Sequence, residues 1–197
     1  MHILPAGRHA VLVEVSSPHD AVDLAAWGRQ RGLACDVGAG AETVLFDGLL
    51  EQLQDAESLE RTLAGWRRSD AEPGPVVELP VTYDGPDLEI VAARWQCAVE
   101  EIATRHRATQ FRSAFCGFAP GFAYLSGLDV PVPRRATPRT RVPAGAVALA
   151  GTWCGVYPGE SPGGWQVIGR TDAALWDPRR SEPALLAPGT LVRFVDR

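Results

Sequence analysis

Between Gly117 and Thr171, glycine and proline recur at a density that a regular helix or central strand cannot absorb. The blocks read Gly117-Phe-Ala-Pro-Gly-Phe-Ala-Tyr124, then Pro138-Arg-Thr-Arg-Val-Pro-Ala-Gly145, then Tyr157-Pro-Gly-Glu-Ser-Pro-Gly-Gly-Trp-Gln-Val-Ile-Gly-Arg-Thr171. Ten of the chain's 20 glycines fall in these 55 residues. Glycine admits φ > 0 and close backbone approach, and proline holds φ at about −65°. Such a segment is restricted to short strands and tight turns. With Phe, Tyr and Trp set between the turns, it predicts a shaped aromatic surface on which function resides.

The remaining composition narrows the function classes. At 197 residues the chain has room for one domain or two small ones. Its net charge of −5 argues against binding nucleic acid through phosphate neutralisation. Arg134, Arg135, Arg139 and Arg141 are a local exception. They read either as a solvated loop with scattered ion pairs or as a clamp for a carboxylate or phosphate. No stretch approaches the roughly 20 apolar residues of a membrane span. The opening Met1-His-Ile-Leu-Pro-Ala-Gly-Arg8 lacks the basic head and apolar run of a signal peptide, so we expect a cytoplasmic protein without membrane contact.

Cys35, Cys97, Cys116 and Cys154 are widely spaced and form no C-x-x-C pair, which predicts reduced, mostly buried thiols and no bound metal. The chain contains no lysine: all 19 basic residues are arginine. A P-loop of the G-x-x-x-x-G-K type, a Schiff-base lysine and a biotin- or lipoate-bearing lysine are therefore excluded on this chain. Arginine cannot replace them, because it stays protonated.

The first part reads as α/β. His9–Val15, a Val-rich apolar run, and Thr43–Phe46 are read as strands, the second ended by Asp47-Gly48. Ser17-Pro18 opens a helix that Gly32 stops. A second helix is expected from about Leu49 to Arg68. Ala71-Glu-Pro-Gly-Pro75 breaks the pattern and is read as a domain boundary, giving a small α/β domain over 1–72 and a second domain over 76–197. In the second, Val76–Tyr83 reads as a strand, Asp87 as the cap of a helix toward Trp95, and Ala98–His106 as another helix. Phe111–Phe115, Ala146–Ala150, Gly155–Tyr157, Gln166–Ile168 and Leu191–Val195 are short apolar segments between turns, the texture of a barrel or sandwich.

These blocks resemble a known family. Val81-Thr-Tyr-Asp-Gly-Pro-Asp-Leu88, His106, Gly117–Leu125, Pro138-Arg139 with Val142–Gly145, and Tyr157-Pro158 with Ser161-Pro-Gly-Gly-Trp165 through Ile168–Thr171 are similar to the B subunits of bacterial 5-oxoprolinases. That family is also called allophanate hydrolase subunit 1 or the Kip-inhibitor family, and has carboxyltransferase-type members. The resemblance implies an α+β chain: the small N-terminal α/β domain followed by a cyclophilin-like β-barrel. It implies a non-autonomous component that works with the C and A subunits of 5-oxoprolinase to hydrolyse 5-oxo-L-proline to L-glutamate. ATP would be the assembly's cosubstrate, and no cofactor would be bound by this chain. A second reading is a regulatory protein that inhibits a sensor histidine kinase. Prolyl isomerisation is a weaker third, since fold does not carry function.

Opening a lactam needs cations for developing phosphate charge and an acid or base. Arg135, Arg139 and Arg170 are the candidate cations, with Arg170 favoured beside a Gly turn and an internal salt bridge as its structural alternative. His106 is a candidate general base, or else a helix C-terminal histidine bonding a carbonyl. Thus Arg170, Arg139 and His106 are the expected catalytic residues. Arg135, Phe118, Phe122, Tyr157, Gly163, Gly164 and Trp165 are expected to bind substrate or partner, with Phe118 and Phe122 mostly buried and Tyr157 and Trp165 lining a groove.

Overall fold

The computed structural model describes residues 1–53, 56–68 and 74–197. The chain divides into two compact units, Met1–Glu72 and Pro73–Arg197. The expected break at 71–75 lies partly outside the described residues, at 71–73.

In the N-terminal unit, strands β1 (His2–Pro5), β2 (Ala10–Glu14), β3 (Ala34–Ala39) and β4 (Thr43–Leu49) form an antiparallel sheet in the order β1-β2-β4-β3. Helix α1 (Pro18–Gln30) begins where Ser17 predicts: its Oγ accepts from the Asp20 N–H at 3.1 Å and donates to the Asp20 carboxylate at 2.8 Å. The helix ends before Gly32, whose φ of +59° only glycine adopts freely. At Gly28 a Cβ would stand 2.5 Å from the Phe46 ring, so glycine is what lets α1 lie against the sheet. Val13, Leu24, Val37, Val44 and Phe46 form the buried core.

Two expectations need correction here. Asp47-Gly48 does not end its strand: β4 runs on to Leu49, with Gly48 at φ +66°. The single helix expected over 49–68 is a 3₁₀ turn at Glu51–Leu53 and helix α2 at Ala56–Leu63, with residues 54 and 55 outside the described set. Trp66 is tied back to α1 by its indole N–H, which donates to Asp23 at 3.0 Å.

The C-terminal unit is built on β5 (Val76–Val81), α3 (Leu88–Trp95), α4 (Glu101–Ala108), β6 (Phe111–Cys116), β7 (Ala123–Ser126), β8 (Arg139–Val142), β9 (Ala146–Ala150), β10 (Trp153–Val156), β11 (Ser161–Gly163), β12 (Gln166–Arg170) and β13 (Leu191–Asp196). Seven strands make one sheet, in the order β12-β9-β10-β7-β6-β13-β5. Only the β13–β5 pairing is parallel. The sheet curls until its two edges nearly meet. Beyond the end of β5, Thr82 and Arg170 exchange two backbone hydrogen bonds of 2.9 Å. Gly85 and Asp87 then donate to the carbonyls of Ile168 and Val167 at 3.2 and 3.1 Å. A Cβ on Gly85 would stand 2.3 Å from the Val167 carbonyl oxygen, so this seam depends on glycine. The result is a nearly closed barrel-like sheet filled by Leu79, Ile102, Phe111, Leu125, Leu149 and Phe194. β8 and β11 pair as a separate ribbon.

Candidate functional site

Strand alternation builds the site on the outside of the barrel. In β9 the sequence Ala146-Val-Ala-Leu-Ala150 sends Val147 and Leu149 into the barrel core and leaves the three alanines on the opposite face. Phe122, Tyr157 and Trp165 pack against that alanine face. β10 repeats the rule, with Cys154 and Val156 inside. Gly155 leaves the room the aromatics need: a Cβ there would stand 2.8 Å from Phe122 and 3.0 Å from Trp165. Phe122 is the centre, in edge-to-face contact with Tyr124, Tyr157 and Trp165 at ring separations of 5.1, 5.4 and 5.4 Å.

Above this layer lies a groove of about 700 Å³. Phe118, Phe122, Tyr124, Trp153, Tyr157 and Trp165 form its aromatic wall, joined by Pro131–Arg134, Pro162–Gly164 and Arg94. Gly163 is sterically required, because a Cβ would stand 2.3 Å from the Tyr157 hydroxyl oxygen. At Gly164 an added Cβ meets only ordinary contacts, the nearest at 3.5 Å. Burial pushes the Tyr157 hydroxyl pKa up, while the Arg134 charge and the Trp165 N–H act in the opposite direction.

The expected burial of Phe118 is not met. Its side chain is 62% exposed, and its backbone stands at φ +69°. The cause is the tight turn of Gly117–Gly121, in which Ala119 N–H donates to Gly117 O at 2.8 Å and Phe122 N–H to Ala119 O at 2.9 Å. That turn lifts Phe118 above the groove while Phe122 is buried as expected. Tyr157 and Trp165 both line the groove, although each is itself buried.

Arg135 and Arg139 meet at Asp87, which is only 2% exposed. Arg139 binds the carboxylate through both Nη atoms at 2.9 and 2.8 Å, and Arg135 Nη1 donates at 3.0 Å. The Val167 N–H supplies a fourth hydrogen bond at 2.7 Å. Asp87 stands at the N-cap position of α3, but its side chain makes no capping bond, contrary to the cap expected there. Its carboxylate is turned to the arginines. Arg141 pairs with Glu160 at 2.6 Å. Of the clustered arginines, only Arg134 has no carboxylate partner among the described residues.

His106 and Arg170 are not brought to the groove. His106 is fully buried between Phe111 and Phe194, with ring separations of 4.9 and 4.4 Å. Its Nδ1 is hydrogen-bonded to the Tyr83 hydroxyl at 2.8 Å, and Nε2 faces Cys154 Sγ at 3.4 Å. Burial lowers its pKa from 6.5 to about 3, so the ring is neutral at physiological pH. Burial also raises the pKa of Tyr83 and Cys154, which keeps both protonated. Among the described residues the His106 side chain makes no bond to a carbonyl, and it does not line the groove. Arg170 lies on the barrel seam, paired with Asp84 at 2.9 Å and more than half exposed.

Sequence reasoning passes over Arg94 and Trp153 as lining residues and Asp87 as the partner of two arginines; Tyr124 and Arg134 it places in the aromatic surface and the arginine cluster without naming them as site residues. Arg134 is visible only as one of four neighbouring arginines. No local signal separates it from Arg135, whose partner lies 48 residues away in sequence. Among the described residues, no cluster of three or more His, Cys, Asp or Glu is arranged to hold a metal. Nor is any helix long and apolar enough to cross a membrane.

Comparison with known proteins agrees with this architecture. Residues 1–186 match the model for the carboxyltransferase domain, subdomain C and D. The chain is 37% identical to the 5-oxoprolinase B subunit of Haemophilus influenzae, over 99% of this chain and 97% of the relative. It is 45% identical to the 5-oxoprolinase B subunit of Escherichia coli O157:H7, over 71% of this chain and 67% of the relative. Among solved structures, that of TTHA0988 superposes with a TM-score of 0.78 at 32% identity, covering 96% of this chain. The chain spans only 40% of that longer protein. From the barrel, its ordered Gly-Pro-aromatic turns and these matches, we conclude that the chain belongs to the carboxyltransferase-domain family, subdomain C and D, that includes the 5-oxoprolinase B subunits.

Proposed function

We propose that this chain is the B subunit of an ATP-dependent 5-oxoprolinase, inactive alone and completed by the C and A subunits. The observation that carries the proposal is the near full-length match to the 5-oxoprolinase B subunit of Haemophilus influenzae. The aromatic groove on the C-terminal unit is consistent with it, since it is large enough for a small ligand and takes Phe118, Phe122, Tyr124, Tyr157 and Pro162–Trp165 from the blocks that carry the resemblance. In the reaction, water adds to the lactam carbonyl carbon, the ring C–N bond breaks, and the nitrogen takes a proton to give L-glutamate. ATP activates the lactam oxygen by transferring its γ-phosphoryl group to it with release of ADP, and a second water cleaves the acyl phosphate left by ring opening to free inorganic phosphate. In this proposal ATP is the cosubstrate of the assembly, and this lysine-free chain offers no P-loop for it.

The groove is the share of the site contributed by this chain. Its aromatic wall would orient a flat ring and exclude water from it. Arg135 and Arg139 are engaged by Asp87, so their part is to hold the groove's edge in place. His106, neutral and enclosed, and Arg170, on the seam, stand outside the proposed site. The test is reconstitution. The chain is co-expressed with candidate C and A subunits and assayed for ATP-dependent glutamate release from 5-oxo-L-proline. Release should require all three chains; glutamate release at the full rate in a preparation lacking this chain would overturn the proposal.

A further inference from the structure

We infer that the groove takes its ligand by a carboxylate, and that Arg134 is the residue that binds it. The inference rests on the function proposed above and adds the group of the substrate that this chain recognises. The lining carries two guanidinium groups, Arg94 and Arg134, and no acidic residue. That is a local excess of positive charge in a chain whose net charge is −5. The nearby arginines are already engaged: Arg135 and Arg139 by Asp87, and Arg141 by Glu160. Arg134 and Arg94 have no carboxylate partner among the described residues. Arg94 uses its Nε–H on the Pro131 carbonyl at 2.8 Å, which leaves its terminal nitrogens to the groove's rim.

The backbone around Arg134 is held on both sides. Gln166 Nε2 donates to the Pro133 carbonyl at 3.0 Å, and the Arg135 N–H donates to the Gly164 carbonyl at 2.8 Å. The Arg135 side chain is in turn anchored on buried Asp87. Arg134 therefore leaves a fixed stretch of chain, and its Nη2 lies 3.6 Å from where a Cβ on Gly164 would stand. Its charge reaches the Tyr157 hydroxyl at the same end of the groove. A planar fork on a held backbone, with no carboxylate partner among the described residues, matches the two oxygens of a carboxylate. The aromatic wall would then hold the apolar edge of a small ring. Neither feature calls for a phosphate, which usually draws backbone N–H groups or several cations.

The test compares binding to the full chain, read from tryptophan indole NMR signals, for three probes. These are 5-oxo-L-proline, 2-pyrrolidinone (the same lactam without the carboxylate) and inorganic phosphate. The wild-type chain should bind 5-oxo-L-proline at least about tenfold more tightly than 2-pyrrolidinone. Arg134→Met should lose that tenfold preference and leave 2-pyrrolidinone binding unchanged; Arg134→Lys should be intermediate. Arg134 is exposed, so these variants should keep the wild-type unfolding midpoint. Equal affinity for the two lactams, an unchanged preference in Arg134→Met, tighter binding of phosphate, or no saturable binding of 5-oxo-L-proline would each overturn the inference. The reconstituted assembly separates this claim from the functional one. Wild-type turnover with an unaltered KM in Arg134→Met would remove Arg134 and leave the function standing. Absence of wild-type turnover would remove the function and leave the carboxylate site to the binding result.

Discussion

Asp87→Ala should destabilise the C-terminal unit by about 3 kcal/mol, the low end of the range for breaking a buried ion pair. The carboxylate accepts three guanidinium hydrogen bonds of 2.8–3.0 Å and the Val167 N–H at 2.7 Å. Its removal leaves two arginines without a counter-charge and one seam N–H without an acceptor. The arginine side chains are 29% and 23% exposed, so both can turn partly toward water, which is why the low end applies. In urea, a slope of about 2 kcal/mol/M converts this into a midpoint lower by about 1.5 M. The assay is tryptophan fluorescence during urea unfolding. Asp84→Ala, which removes only the exposed partner of Arg170, should leave the midpoint unchanged. A shift under about 0.3 M in Asp87→Ala would refute the claim that this cluster holds the groove's edge.

Buried His106 should make stability fall in acid. Its pKa in the folded chain is about 3 against 6.5 when unfolded, so below pH 6.5 the unfolded chain binds the extra proton. Its contribution is present above pH 6.5 and lost progressively toward pH 3, about 2 kcal/mol of it by pH 5. A His106→Phe variant whose unfolding midpoint declines as steeply as wild type between pH 6.5 and 5 would contradict this. Gly163→Ala should displace Tyr157, because its Cβ would sit 2.3 Å from the hydroxyl oxygen, and should cost about 1–3 kcal/mol in the same urea assay. Phe118→Ala should keep stability within about 0.5 kcal/mol, because the ring is largely exposed, while reducing turnover of the assembly. Unimpaired turnover would remove Phe118 from the groove's function.

The barrel was legible because its strands are short apolar runs bounded by turns: Ala146–Ala150 and Leu191–Val195 read directly, and Gln166–Ile168 needed only two more residues. Two of the strands that escaped, β3 and β8, lack that signature. β3, Ala34-Cys-Asp-Val-Gly-Ala39, buries only Val37, and β8 is mostly polar Arg-Thr-Arg before Val142. The aromatic surface was legible as a surface, since Gly163 and Gly155 are required by Tyr157, Phe122 and Trp165. Pairing across the fold was not legible. Asp87 reads locally as a helix cap, and nothing near it announces arginines 48 and 52 residues further on. His106 reads as a general base or a helix C-terminal histidine bonding a carbonyl; its burial arises only when α4 closes on β13 and Phe194. The exposure of Phe118 follows from a turn in which Phe118 itself, and not only Gly121, is left-handed, which composition cannot reveal.

The most direct test of the groove as this chain's part of the site is to fill it. Gly164 lines the groove, and an added side chain meets only ordinary contacts at its base, so Gly164→Phe should fold and assemble normally. In the reconstituted assembly we predict that ATP-dependent glutamate release falls at least about a hundredfold, with the mass of the complex unchanged. Full turnover by an intact assembly carrying Gly164→Phe would contradict the account.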